Sequence, residues 1–187
     1  IIDKIKIQVN FLDLNPQYSL VSCGFIKFDC NNNNLGRVFL NQCKDILLSN
    51  NIGGFSLPLI KRESLNHNYF NDLSSCQDWN VWLKMFGNKT KIYGIINQCL
   101  VYYFYDKNSK KISNNLPKKI SGYYNVLKLN KHLFNKKILR WHIFNFLLLK
   151  KGKDKFTLKN LLGFLIHEKN INFFIVKDKF LNFKIFK

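Results

Sequence analysis

The sequence predicts an α/β domain followed by a basic, mainly helical extension, and three observations carry that reading. Runs of β-forming residues alternate with helically spaced apolar residues over the first 105 positions. A polar stretch, DKNSKKISNNLPKK at 106–119, then interrupts the pattern with the composition of a mobile loop or linker. From about residue 120 the apolar residues recur at helical spacing among many lysines. The expected domains are therefore 1–115 and 116–187. With 187 residues, 47% of them hydrophobic, the chain is long enough to bury a core.

Each element follows from its local pattern. In DKIKIQVNFLDLNPQ, Ile5, Val9 and Leu12 recur at helical spacing with lysines opposite, and Asn15 with Pro16 ends the helix. YSLVSCGFIKFD is a run of β-formers, NNNNLG supplies turn residues and RVFL resumes, which predicts a hairpin or a strand with an excursion. LNQCKDILLSNN reads as a polar helix. In NIGGFSLPLIKRESL two adjacent glycines allow backbone to approach a ligand, and Ser56, Leu57 and Pro58 form a small-residue passage. CQDWNVWLKMFG has helical spacing, and KIYGIINQCLVYYFY reads as one or two buried strands. GYYNVLKLNKHLFNKKILRWHIFNFLLLKKGK and FTLKNLLGFLIHEKN predict lysine-rich helices, and INFFIVKDKFLNFKIFK a strand or a loosely attached tail.

Thirty Lys and Arg against eleven Asp and Glu give a formal charge of +19. Such a field favours the phosphates of a nucleotide, a nucleic acid or an anionic membrane. The abundance of Lys, Asn, Ile and Phe also fits a coding sequence biased toward A and T, with the lysines on solvated surfaces. Cys23, Cys30, Cys43, Cys76 and Cys99 form no C-x-x-C pair and are expected as reduced, buried thiols of a cytosolic protein. His67, His132, His142 and His167 lack metal-ligand spacing, and no phosphate-binding glycine loop or nucleophile elbow is present. No apolar run reaches the roughly 18–20 residues needed to span a bilayer. The chain opens on Ile1 rather than Met, and a piece of a longer polypeptide is expected.

Asp78 falls in the first turn of the CQDWNVWLKMFG helix, with Val81, Trp82 and Met85 on its side and Trp79, Leu83 and Phe86 on the next. Two readings stand side by side. Ser75 with Asp78, or Ser74 with Gln77, fits a capping box, which would make the acid a helix-start stabiliser worth about 0.5–2 kcal/mol. Alternatively, a carboxylate held rigidly at a helix start serves as a general base. The two roles are compatible.

Four segments in order resemble family 2 inverting glycosyltransferases, over about residues 3 to 110. KIKIQVNFL is similar to the helix that follows the donor site in that family, and SLVSCGFIKFD with its Asn-rich turn to the next strand and hairpin. NIGGFSLPLIKRESL is similar to the small-residue passage before a strand ending in Arg. CQDWNVWLKMFG matches the E-D-W-D-x-W-L-R-L motif, with Gln77, Asn80 and Lys84 in place of Glu, Asp and Arg. The resemblance implies the acceptor-side half of a Rossmann-like GT-A domain, followed by the extension.

It implies further that Asp78 deprotonates an acceptor hydroxyl as that hydroxyl attacks the anomeric carbon of a nucleotide sugar. Burial beside Trp79 and Trp82 would raise its pKa and make it a better base. Trp82 is expected in the core. Gly53, Gly54, Ser56, Gln77 and Trp79 are the expected acceptor-side residues. The family's D-x-D, which binds Mg or Mn and the diphosphate, is expected upstream of residue 1, so this piece alone is expected to lack the donor-binding half. The family's Y-R-x-H pattern is represented by Tyr103 and Ser109, with Phe104 and Asp106 where basic groups stand; Lys107, Lys110 and Lys111 are the candidates to neutralise the leaving diphosphate.

In 136–153, Trp141, Phe144, Leu147 and Leu148 share one side while lysines and Arg140 crowd the ends. Such a helix fits either packing on the catalytic domain or lying on an anionic membrane surface. The expected partners are thus a nucleotide-sugar donor, a saccharide or lipid-linked acceptor and an anionic membrane, in the cytoplasm or at the inner face of the cell membrane. Readings from other classes are a basic nucleic-acid-binding module and a membrane-surface module without catalysis. No nucleic acid is expected, because no RNP, KH or helix-turn-helix signature appears and most aromatics sit in core-like runs.

Overall fold

The computed structural model of the chain describes residues 2–41, 45–105 and 115–151, those from 147 onward by backbone alone. Helix α1 (Lys4–Leu14) leads into strand β1 (Tyr18–Asp29), which turns through the asparagine run into β2 (Asn34–Val38). The Asp29 carboxylate caps that turn by accepting from the backbone N–H groups of Asn31 and Asn33, each at 2.8 Å. A short β3 (Leu59–Ile60) precedes 3-10 turns at Arg62–Ser64 and His67–Tyr69. Then come helix α2 (Gln77–Phe86), the long β4 (Ile92–Tyr105), α3 (Leu116–Leu129) and α4 (Lys136–Lys151).

The sheet is built on β1, which pairs with each of the other three strands. It runs antiparallel to β2, with Lys27 opposite Gly36, and antiparallel to β3, with Leu20 opposite Ile60. It runs parallel to β4, with Val21 opposite Gly94 and Phe28 opposite Phe104. A parallel pair cannot be joined by a tight turn, and α2 lies in the connection that brings the chain back. The α/β class expected from the sequence is therefore observed.

Alternation along β1 divides the core in two. Leu20 joins a large cluster with Ile46, Leu47, Ile52 and Leu73, most of α2, Val126 and Leu127 of α3, and Phe134. Val21 and Cys23 join Leu12, Ile96 and Leu100 in a smaller one. In α2, Trp79 to Leu83, Met85 and Phe86 are all buried, so the helix is enclosed around most of its circumference. Its first turn reaches the surface, with Gln77 exposed and Asp78 half-buried, as does Lys84 further along.

Several expectations need correction. Helix α1 has the expected limits but another buried face: Gln8 and Leu12 are inside, whereas Ile5 and Val9 are exposed. Apolar residues surround this helix, so their spacing does not single out a face. The face is set by the Gln8 amide, whose Nε2 donates to the carbonyls of Leu57 (2.9 Å) and Val21 (3.3 Å). The described part of 40–51 forms turns rather than a helix, held in part by Asp45 accepting from the Leu47 N–H. Beyond 105, residues 116–119 are the first turn of α3 and no linker, since Asn115 accepts from the Lys118 N–H and Pro117 stands in the first turn.

The chain divides into compact units at Ile1–His142 and Ile143–Lys187, and α3 lies in the first of them. Cys23 is buried as expected, but Cys30 is exposed and Cys76 and Cys99 are half-buried; all four are free thiols. Strand β4 is one strand, and its far end, Tyr102 to Phe104, is exposed rather than buried. Cys43, residues 106–114 and the predicted elements beyond 151 lie outside the described residues.

Candidate active site

The approach to α2 is a strained turn braced from behind by α3. Cys76, the residue before the helix, has φ +59°, the left-handed region that non-glycine residues adopt at a cost on the order of 1–2 kcal/mol. The hydroxyls of Ser74 and Ser75 both donate to the Lys118 carbonyl, at 3.2 and 3.0 Å. Gly122 lets the two backbones meet, because a Cβ there would stand 2.6 Å from the Ser75 carbonyl oxygen. Neither expected capping box forms. Ser74 and Ser75 are turned to α3, and Gln77 Nε2 donates to the Leu73 carbonyl at 2.8 Å.

Asp78 is held from two sides. Its Oδ1 accepts from the Trp79 backbone N–H at 2.8 Å, so the acid itself satisfies a helix-start donor and faces the favourable end of the dipole. Its Oδ2 accepts from Asn50 Nδ2 at 3.0 Å. Asn50 also grips the glycine loop, since its Oδ1 accepts from the Gly53 N–H at 2.9 Å and its Nδ2 reaches the Gly53 carbonyl at 3.3 Å. That carbonyl takes a further bond from the Trp82 indole N–H at 2.8 Å.

Gly53 has φ +90°, and a Cβ on it would meet Leu57 Cδ1 at 2.5 Å, so only glycine suits this position. Gly54 passes beside the acid, since a Cβ there would lie 3.8 Å from Asp78 Oδ2. Burial pushes the Asp78 carboxyl above its ordinary value, while the bonds from the Trp79 N–H and from Asn50 pull it partly back. The outcome is a half-buried, rigidly oriented carboxylate with raised basicity.

Of the acceptor-side residues expected from the sequence, Gly53 and Gly54 stand at the carboxylate, and Ser56 and Gln77 are exposed on the same two segments. Trp79 does not fit the place given to it. Its ring is 4% exposed, stacked on Tyr123 with centroids 5.6 Å apart, and its indole N–H donates to the Ile46 carbonyl at 3.0 Å. It is core, packed also against His142, and Trp82 is fully buried, as expected. His142 ties this region together: its Nε2 donates to the Leu47 carbonyl at 2.6 Å, and in the neutral ring Nδ1 accepts from the Tyr123 hydroxyl at 2.8 Å. Lys107, Lys110 and Lys111 lie outside the described residues.

Three site residues were missed in the sequence. Asn50 carried a signal, because an asparagine three residues before a positive-φ glycine is a turn-forming arrangement. Phe55 and Phe70 carried none beyond being aromatic, and both are exposed beside this loop. Among the described residues no three His, Cys, Asp or Glu side chains lie close enough together to hold a metal. No family model matches the sequence, and no curated protein matches it.

Proposed function

We propose that this chain is the acceptor-side part of an inverting GT-A glycosyltransferase, in which Asp78 is the general base. The observation that carries this reading is the Asp78 carboxylate: half-buried, pushed up in pKa by that burial, and fixed by Asn50 and the Trp79 N–H beside a glycine loop. In the reaction, an acceptor hydroxyl within roughly 2.6–3.2 Å of the carboxylate gives up its proton as its oxygen attacks the anomeric carbon of a nucleotide sugar. The nucleoside diphosphate leaves from the opposite face, and the configuration inverts. Asn50 keeps one carboxylate oxygen oriented through the proton transfer, and the glycines let the acceptor come close.

The divalent cation implied by the resemblance finds no set of ligands among the described residues, so no step is routed through it. The D-x-D that would hold it, like the donor-binding half, is expected upstream of residue 1. Lys107, Lys110 and Lys111 remain the candidates to neutralise the leaving diphosphate. No helix among the described residues is long and apolar enough to cross a membrane. The charge of +19 supports attraction to an anionic membrane surface, where a lipid-linked saccharide acceptor would be presented.

The test uses the complete polypeptide with a panel of nucleotide sugars and saccharide acceptors, following release of nucleoside diphosphate and the anomeric configuration of the product. Asp78→Asn is expected to lower turnover by about 10²-fold or more with the fold intact. Full activity in that variant, or a product with retained configuration, overturns the proposal.

A further inference from the structure

Phe55 and Phe70 are 47% and 48% exposed, with ring centroids 6.2 Å apart. Phe55 directly follows Gly54, which passes beside the half-buried Asp78 carboxylate, and the backbone carrying each ring is anchored. Phe55 rests edge-on against the buried Trp82 at 5.4 Å, and its backbone lies in the turn closed by the Leu57 N–H to the Gly54 carbonyl at 3.0 Å. Phe70 lies between two anchored neighbours. Asn80 Nδ2, from the middle of α2, donates to the Tyr69 carbonyl at 3.4 Å and to Asn71 Oδ1 at 3.0 Å, and Lys84 Nζ donates to the Asn68 carbonyl at 2.9 Å. Asn80 is itself fixed by Asn130 at 2.8 Å.

Helix α2 therefore carries three things: the carboxylate in its first turn, the back of Phe55 through Trp82, and the segment bearing Phe70 through Asn80 and Lys84. Exposed rings fixed in this way are preorganised to receive a flat apolar surface at little entropic cost. The electron-rich ring faces favour weakly positive C–H groups over a second negative surface. The Asp78 carboxylate, beside Gly54, and the exposed Ser56 that follows Phe55 in the chain add hydrogen-bonding groups next to the rings. A ligand with an apolar C–H face and a rim of hydroxyls matches both parts.

We infer that Phe55 and Phe70 form a platform that holds one pyranose ring of the acceptor by its C–H face. The role of acceptor rests on the glycosyltransferase reading; the binding of a pyranose does not. The positions of the rings set which acceptors are taken: a ring with an axial hydroxyl on the contacting face loses contact with the platform, and an open-chain polyol has no face to offer.

The experiment is saturation-transfer NMR on the full chain with methyl hexopyranosides, using open-chain hexitols at equal concentration as the comparison. Transfer concentrated on the C–H protons of one pyranoside face is expected, with little to the hexitols. Phe55→Leu and Phe70→Leu keep apolar volume but remove the rings, and each should weaken pyranoside binding by about tenfold. Phe104→Leu, which removes another exposed ring, at the far end of β4, should leave it unchanged. Equal signals from hexitols, or undiminished binding in both Phe55→Leu and Phe70→Leu, overturn the platform. Ring-dependent pyranoside binding without sugar transfer by the complete polypeptide upholds the platform and sinks the transferase reading. Transfer whose acceptor KM ignores both substitutions does the reverse.

Discussion

Replacing Asn50 by alanine removes the Asn50 contacts to Asp78 and to both backbone groups of Gly53. The bond to the carboxylate is charge-assisted and worth roughly 1.5–3 kcal/mol, and the two neutral bonds, one of them long, add about 1 kcal/mol. Water re-solvates part of what is exposed, so the expected loss is about 2–4 kcal/mol. A double-mutant cycle with Asp78→Ala isolates the carboxylate contact, for which a coupling of roughly 1–3 kcal/mol is expected. Urea unfolding read by tryptophan fluorescence suits this cycle, because Trp79 and Trp82 are both buried beside the site. The Asn50 bond favours the charged form, so Asn50→Ala should raise the Asp78 pKa further above its ordinary value. The coupling should accordingly shrink in acid, where a protonated carboxyl accepts more weakly. A coupling under about 0.5 kcal/mol at neutral pH would refute the clamp.

Further outcomes follow from the same geometry. Because the folded pKa of Asp78 is raised, its contribution to stability is complete below the unfolded value and declines as pH rises through the raised folded value. Asp78→Asn should remove that decline, seen as a flatter curve of urea midpoint against pH and a variant at least as stable as wild type at neutral pH. Gly53→Ala should cost about 1–3 kcal/mol, combining positive φ with the Leu57 contact, and midpoints unchanged from wild type would contradict it. Gly122→Ala should cost about 2 kcal/mol or more, since the nearest Ser75 atoms include fixed backbone, and thermal unfolding reads the loss. The bonds from Asn33 and Asn31 hold the Asp29 carboxyl below its ordinary value. The hairpin stability it supplies is present above the unfolded value and lost as pH falls through the lowered one, which amide exchange at 31–33 can follow.

What the sequence made legible was what repeats locally. The limits of α1, the β1–β2 hairpin, α2 and the start of β4 follow from periodicity, turn residues and stop signals that act over a few positions. What it hid depends on distant partners. The buried face of α1 is chosen by Gln8 reaching Leu57, and the hydroxyls of Ser74 and Ser75 are drawn from capping by Lys118. At the site, the acid in the first turn of α2 and the Gly53–Gly54 turn were legible from local pattern, while the roles given to them came from the resemblance and not from the pattern itself. Asn50 required knowing that residues 50 and 78 meet, and Trp79 misled because a tryptophan beside a polar residue reads equally as wall or core. The platform rings were illegible because exposure is set by everything that does not cover them.

The bracing of the Cys76 turn by α3 changes where this polypeptide can be shortened. A deletion beginning near residue 115 looks, by composition, like the trimming of a basic appendage. It would instead take away the Lys118 carbonyl that receives two serines, the Val126 and Leu127 side chains of the large core, and the Asn130 amide that steadies Asn80. Tyr123, the stacking partner of Trp79, would go as well. A premature stop there would open the protein at the helix that presents its carboxylate, so the smallest autonomous piece retaining the site runs at least through His142.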